Sequence, residues 1–400
     1  MKTKVNKMSA SVIAALLISI LMGLLLQDHT DLADQFSPLG TVYVNLIKMV
    51  MLPLVFSSLV LGISSMDSLK KLGKIGVSTM IIFMLTTAAA VVTGLILSSV
   101  FKPGTRVSLT TETYDVNPFP NVIDTVVGIV PSNPFESFVN GNMLQVIFFS
   151  IVLGVGMVVV GEKGEPLRNV IDSVFETMSA VTKGIMYLTP VGIFGLMTPA
   201  VANNGAEVLL PLLKLILVFY LAAAIHICIV YFGLLKIGCG MPVQKFLRGM
   251  FQAQVIAFTT CSSAAALPVS LKCMQDELKI SKEVSSFVLP LGATVNMDGN
   301  ALYQGIVALF IAQAYGVDLT IPSMLMVILT GTLASIGASG VPGAGMIVLS
   351  MVLVSVGLPV DGIALVAGID RILDMGRTLV NVTGDAATAC IVEYIGSKNK

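Results

Sequence analysis

Near the C-terminus, an otherwise apolar stretch carries Asp370, Asp374, Arg377, Asn381 and Asp385. Their spacings of +4, +3, +4 and +4 keep them on one helix face. At about 100° per residue they fall within an arc of roughly 80° and rise about 22 Å along the axis. Thr378 borders that arc and Arg371 stands at its edge, where it can pair with a neighbour. The other side (Ile372, Leu379, Val380, Val382) suits lipid or protein. Arg377 is the one charge on this ladder suited to clamping a carboxylate bidentately. Asp374, one turn away, can hold an ammonium group. Together they describe a pocket for a molecule with an amine and a side-chain carboxylate.

A second polar cluster, Asn296-Met297-Asp298-Gly299-Asn300, lies deep in another apolar run. Gly299 and the two asparagines are expected to loosen the helix there. An unwound turn frees backbone carbonyls, which suit a hard cation such as Na⁺. Asp298, Asp370, Asp374 and Asp385 give −4 and Arg377 returns +1, leaving −3. An ionised group at the bilayer centre costs about 2.5–3.5 kcal/mol, so this surplus calls for protons or for two or three bound cations. The competing reading is a set of internal ion pairs that only fixes helix packing, but one arginine cannot pair every carboxylate.

These residues need elements to hold them. The chain has 400 residues, 55% hydrophobic and 12% charged, with 23 basic residues against 23 acidic and a mean hydropathy of +0.92. A soluble chain carries about 25% charge; half of that leaves too little polar surface, so this is an integral membrane protein. Zero net charge without a basic block argues against a nucleic-acid partner. Cys228, Cys239, Cys261, Cys273 and Cys390 lie in or beside apolar segments at irregular spacing, which suggests neither a disulfide framework nor a zinc site. With only His29 and His226, histidine-based metal or triad chemistry is nearly excluded. His226, alone in an apolar helix, reads as a packed residue.

Spanning helices of about 20 residues are expected near 9–27, 40–66, 76–101, 120–160, 169–200, 207–235, 284–316 and 360–396. The run from Ser9 to about Leu26 is longer than a signal-peptide core of about 7–15 residues and reads as the first span. Two further stretches are broken at their centres, 245–275 by Thr259 to Pro268 and 321–356 by Ala334 to Gly345. Basic residues favour the cytoplasmic side. Lys2, Lys4 and Lys7 then place the N-terminus inside, as do Lys70, Lys71 and Lys74 for the next inner loop. Lys272, Lys279 and Lys282 stay inside only if 245–275 enters and returns. The same logic makes 321–356 a hairpin from the outside and puts the C-terminus inside. The result is an all-α membrane protein with eight transmembrane helices and two opposed re-entrant hairpins, arranged as inverted repeats. That is the architecture of secondary transporters; the competing reading is that Gly and Pro merely kink ordinary helices.

Asn296-Met297-Asp298-Gly299, the tip Gly340-Val341-Pro342-Gly343-Ala344-Gly345, and Asp374-Met375-Gly376-Arg377-Thr378 with Asn381-Val382-Thr383-Gly384-Asp385 resemble the dicarboxylate/amino acid:cation symporter family. Lys48-Met49 and Pro53 extend the resemblance to nearly the whole chain. The family includes archaeal aspartate transporters, bacterial glutamate symporters and neuronal excitatory amino acid transporters. The resemblance implies a homotrimer in the cell membrane, importing an acidic amino acid with Na⁺ by an elevator motion and using no organic cofactor. It implies scaffold helices in 1–75 and 120–206, a third helix with an outer loop in 76–119, a sixth helix in 207–242 and a transport core in 243–400. Substrate contacts are implied for Cys261, Ser262, Ser263, Asn300, Val341, Pro342, Gly343, Ala344, Gly345, Asp374, Arg377, Thr378 and Asn381. Three sodium sites are implied: Gly292, Asn296, Asn381 and Asp385; carbonyls of Thr294, Ser335, Ile336 and Ala338; and Thr86, Thr87, Asn296 and Asp298 with the Phe83 carbonyl. Met297, inside the motif, joins the cation set.

The departures carry information. Cys261 stands where archaeal members have an arginine, with Arg371 as the basic residue instead. Asn300 replaces a threonine that reaches the substrate side chain. Gln304 occupies the place of the neuronal proton-carrying glutamate, which argues against proton and potassium countertransport by that route. Asp374 favours an acidic amino acid over succinate or malate, and Arg377 argues against the neutral amino acid branch. A proton-coupled glutamate or C4-dicarboxylate symporter is the nearest alternative. A channel is more distant, and an intramembrane hydrolase using Ser262 or Ser263 with Lys272 lacks an orienting third group.

Overall fold

The computed structural model describes residues 2–64, 74–105, 127–205, 209–335 and 344–397, and among them every regular element is helical. Ile336, Ala338, Val341, Pro342 and Gly343 lie outside the described residues, as do the side chains of Lys48 and Ala344.

The long elements are α1 Lys2–Leu25, α2 Ser37–Ser64, α3 Lys74–Phe101, α4 Met143–Val160, α5 Glu165–Met186, α6 Thr189–Asn204 and α7 Leu209–His226. There follow α8 Val243–Thr260, α9 Ser263–Lys272, α10 Lys282–Val295, α11 Asp298–Ala314, α12 Ile321–Ser335, α13 Ala344–Ser355 and α14 Asp370–Ser397. Among the described residues, four stretches are long and apolar enough to cross a membrane by length and composition: Thr30–Ser64, Ile75–Phe101, Gln145–Ile185 and Leu209–Cys239. Helix α3 shows what lipid would meet, with Val77, Ile81, Leu85, Ile96 and Val100 all exposed. Large apolar patches of that kind mark a membrane or protein contact.

The single span expected at 169–200 is two helices, α5 and α6, divided at Tyr187–Leu188. Pro190 enters the first turn of α6. Proline is accepted at a helix start because the N–H it lacks is unbonded there anyway.

Packing falls into two groups. One comprises α1, α2, α4, α5 and α6, the other α3, α7 and the elements from α8 to α14; they meet where α13 touches α2 and α4, α12 touches α4, and α6 touches Ile363–Ala367. In the second group α3 lies along α11. A Cβ on Gly94 would overlap the Leu302 carbonyl, and one on Gly305 would overlap the Val91 carbonyl. Small residues facing each other's backbones are how helices approach closely where lipid replaces water.

Both broken stretches fold as helix pairs. Helices α8 and α9 pack on one another, and so do α12 and α13. The members have 18, 10, 15 and 12 residues, about 27, 15, 22 and 18 Å at 1.5 Å per residue, each shorter than a hydrocarbon core of about 30 Å. Between α8 and α9, Cys261 adopts a left-handed conformation at φ 52°. Ser262 then caps α9 by accepting the Ala265 N–H at 3.2 Å.

The break expected in the Asn296 motif is present, between α10 and α11. Asn296 (φ −95°, ψ 80°) and Met297 (φ −105°, ψ 54°) are the non-helical residues. Gly299, expected to loosen the chain, is instead inside α11. Its lack of a side chain serves proximity, since a Cβ there would overlap the Arg377 carbonyl.

Candidate functional site

Helix α14 runs unbroken from Asp370 to Ser397 and is packed on several sides by α8, α10, α11, α3 and α7. Its polar ladder therefore faces protein: Asp370, Asp374, Arg377, Thr378, Asn381 and Asp385 are all buried. Arg377 is fully buried. Its Nη2 lies 2.9 Å from Asp370 Oδ1 and 3.0 Å from Asp374 Oδ1, at ion-pair distance. Its Cζ sits 4.3 Å from the centre of the Tyr303 ring, a geometry in which the ring face attracts the cation. Among the described residues none of the three guanidinium nitrogens has an aligned hydrogen-bond partner, so Nη2 meets the aspartates by charge and distance, while Nε and Nη1 meet no acceptor. A guanidinium carries five N–H donors in a fixed fork, so one nitrogen holds the two aspartates while other donors remain for a further anion. Gly345, at the start of α13, admits the guanidinium: a Cβ there would overlap Nη1 and come within 3.3 Å of Asn300 Oδ1.

Arg371 bridges α14 to the end of α8, with Nη2 3.5 Å from the Thr260 carbonyl and Nη1 3.9 Å from Asp374 Oδ2. Thr378 donates back to the Asp374 carbonyl at 2.9 Å. Tyr220 on α7 donates to the Ile372 carbonyl at 2.6 Å, and Gln254 on α8 donates to Thr383 Oγ1 at 3.1 Å. The internal ion pairs that the sequence offered as a competing reading thus form at Asp370 and Asp374. Among the described residues no lysine or arginine pairs with Asp298 or Asp385.

Asp385 and Asp298 have different surroundings. Asn296 Nδ2 donates to Asp385 Oδ1 at 3.0 Å, and Gly292 lies bare against that carboxylate. Asn381 Oδ1 accepts the Gly299 N–H at 2.7 Å, while its Nδ2 lies 3.2 Å from the Met297 sulfur. Thr87 donates to Asp298 Oδ1 at 2.6 Å and Tyr231 to Oδ2 at 2.7 Å. The Thr86 hydroxyl bonds the Phe83 carbonyl at 3.2 Å and Asn296 Oδ1 at 3.4 Å. Two of the three expected cation groupings are therefore brought together around the α10–α11 break. The third is not assembled by any hydrogen bond among the described residues. Thr294 is exposed with its hydroxyl on the Leu291 carbonyl, and Ser335 bonds the Gly331 carbonyl.

Among the described residues, no group of three or more His, Cys, Asp or Glu could hold a metal ion. The oxygen-rich mixture of carboxylates, amide and hydroxyl oxygens and carbonyls instead suits a hard cation. At the first hairpin, Cys261 and Ser263 are buried and Ser262 is half-buried. Gln304 is fully buried beside Gly331, and its amide has no partner among the described residues.

The sequence reading missed Tyr303, Tyr231 and Tyr220. Each sits in an apolar run where an aromatic residue signals only packing, and its partner lies 67 or more positions away. Gly299→Ala is expected to force α11 away from α14, because backbone rather than a movable side chain blocks the new methyl. Overpacking of this kind costs about 1–3 kcal/mol, and thermal unfolding of the purified variant measures it.

A model of the sodium:dicarboxylate symporter family matches residues 8–395. The chain is 38% identical over 387 residues to the proton/sodium-glutamate symport protein of Geobacillus stearothermophilus, covering 94% of this chain and 91% of that one. It is 37% identical over 404 residues to the proton/glutamate-aspartate symporter of Escherichia coli (strain K12), covering 95% and 91%. It is 34% identical over 399 residues to the C4-dicarboxylate transport protein of Bacillus subtilis (strain 168), covering 97% and 93%. A match across almost the whole chain shows the family: this chain belongs to the sodium:dicarboxylate symporter family, as a multi-pass membrane transporter rather than an enzyme.

Proposed function

We propose that this protein is a sodium-coupled symporter that imports an acidic amino acid, L-aspartate or L-glutamate, across the cell membrane. The observation that carries the reading is Arg377: fully buried, held by Asp370 and Asp374 through one nitrogen, with donors on Nε and Nη1 unengaged among the described residues. A side-chain carboxylate fits those donors. Asp374, already beside the guanidinium, then takes the substrate ammonium. Ser262, Ser263, Asn300, Gly345, Thr378 and Asn381 complete the pocket, together with Cys261 and the 341–344 tip. Na⁺ at Asp385 with Asn296, Asn381 and the Gly292 carbonyl, and at Asp298 with Thr86, Thr87 and the Phe83 carbonyl, offsets the remaining negative charge. Transport follows an elevator path, with the 243–400 core and the third helix sliding against a trimeric scaffold. The division of packing into two groups supports that path. Eight spans with both termini inside accommodate it.

The names of the relatives favour one further reading, a proton-coupled carrier of glutamate or of C4-dicarboxylates. Proteoliposomes separate the two. Uptake of radiolabelled aspartate is expected to follow an inward sodium gradient at constant pH, with glutamate competing and succinate failing to compete. Uptake that follows only the pH gradient, or that succinate blocks, would overturn the proposed substrate and coupling. Conduction that does not saturate would indicate a channel.

A further inference from the structure

We infer that His226 is a positioning residue for the cation site, its Nε2–H closing onto Asp298 to hold that carboxylate toward the bound ion. The inference rests on the sodium-coupled reading above and adds a residue that neither the charge ladder nor the motifs contain. His226 is the last residue of α7 and is fully buried. Among the described residues neither ring nitrogen has a hydrogen-bond partner. Buried polar groups are nearly always bonded, and an exception calls for a cause. Here Nε2 lies 3.8 Å from Asp298 Oδ2. That is too long for a hydrogen bond, yet a movement of about 1 Å would make one.

The backbone is shaped to bring this imidazole to Asp298. The ring packs edge-on against Tyr231, centroids 4.9 Å apart at 84°, and Tyr231 donates to the same Asp298 oxygen. Residues five apart on an α-helix diverge by about 140°. Directly after His226 the helix widens into a π turn, Ile227–Tyr231, closed by the bond from the Phe232 N–H to the Ile227 carbonyl. In that wider turn both rings come to the same side. Such turns are rare and gather at functional sites.

Asp298 therefore has Thr87 on one oxygen, Tyr231 on the other, and a third donor waiting beside Oδ2. The direction of a carboxylate's remaining lone pairs is set by the donors around it. A neutral imidazole with its proton on Nε2 supplies one such donor. When Asp298 turns its Oδ1 toward a cation, the imidazole can follow Oδ2 and fix the new orientation. His226 itself neither binds the ion nor transfers a proton.

The test uses the intact protein in proteoliposomes and reads the sodium concentration that gives half-maximal L-aspartate uptake. His226→Gln, which carries an amide donor near the place of Nε2, is expected to stay within about twofold of wild type. His226→Asn, which reaches only as far as Nδ1, and His226→Phe, which keeps a ring, are expected to need about tenfold more sodium, the scale on which partners of metal ligands act. The KM for aspartate at saturating sodium is expected to be unchanged in all three. The sodium-dependent rise in Tm of the purified protein reads the same affinity for any variant that transports too slowly. A ring that only fills space reverses the order. If His226→Phe matches wild type, or His226→Gln is as impaired as His226→Asn, the inference is overturned while coupling stands. A wild-type protein indifferent to sodium overturns the coupling reading and the inference together.

Discussion

Arg377→Ala is expected to abolish binding of acidic substrates, raising the Kd for aspartate at least about 100-fold. Two charge-assisted hydrogen bonds to a carboxylate are lost, each worth about 1.5–3 kcal/mol, and 1.4 kcal/mol is a factor of ten. The same substitution strips Asp370 and Asp374 of the cation 2.9 and 3.0 Å away. Breaking a buried pair in this way costs about 3–5 kcal/mol of stability, so lost binding alone could reflect a damaged fold. The double variant Arg377→Ala with Asp370→Asn separates the effects by removing one of the stranded charges. It is expected to recover thermal stability and to remain unable to bind aspartate. Binding to purified, monodisperse protein measured beside its Tm decides the matter. Aspartate affinity within a few-fold of wild type in a folded Arg377 variant would remove the clamp from the site.

Much of this site is legible in the sequence because it lies on single helices. Steps of three and four place Asp370 through Asp385 on one face whatever packs against it, and buried carboxylates in an apolar run stand out by their cost. The helix break is legible too, although its position is not. Asn296 and Met297 leave the helix, whereas Gly299 stays in it so that α11 can touch the Arg377 backbone.

What the sequence conceals is pairing across helices. Nothing in an apolar run distinguishes Tyr231 or His226 from a packed ring. They meet at Asp298, Tyr231 by a hydrogen bond and His226 at 3.8 Å, where a π turn follows α7. The reading of His226 as packed is right about its burial and misses its neighbour. Cys261 likewise gives no local signal for its left-handed backbone, which non-glycine residues seldom adopt and which here ends α8 one residue before Ser262 caps α9.

The second large effect is expected at Asp385. Asparagine there preserves the shape of the carboxylate and its place against Gly292 and Asn296, while removing one negative charge and offering an NH₂ group in place of one oxygen. Cation affinity in oxygen sites follows ligand charge and number. Asp385→Asn is therefore expected to raise the sodium concentration for half-maximal uptake by at least about tenfold, with the charge ladder around Arg377 intact and aspartate still bound when sodium is in large excess. The same variant discriminates between the two coupling readings. If Asp385 carries a proton rather than helping to hold Na⁺, asparagine imitates the protonated state, and transport loses its pH dependence while its sodium response is unaltered. Uptake by wild type and variant under a sodium gradient, and then under a pH gradient, gives opposite patterns for the two cases. An unchanged response to both gradients would take Asp385 out of the coupling site and leave Asp298, with Thr87 and Tyr231 at its two oxygens, as the remaining buried carboxylate outside the Arg377 ion pairs among the described residues.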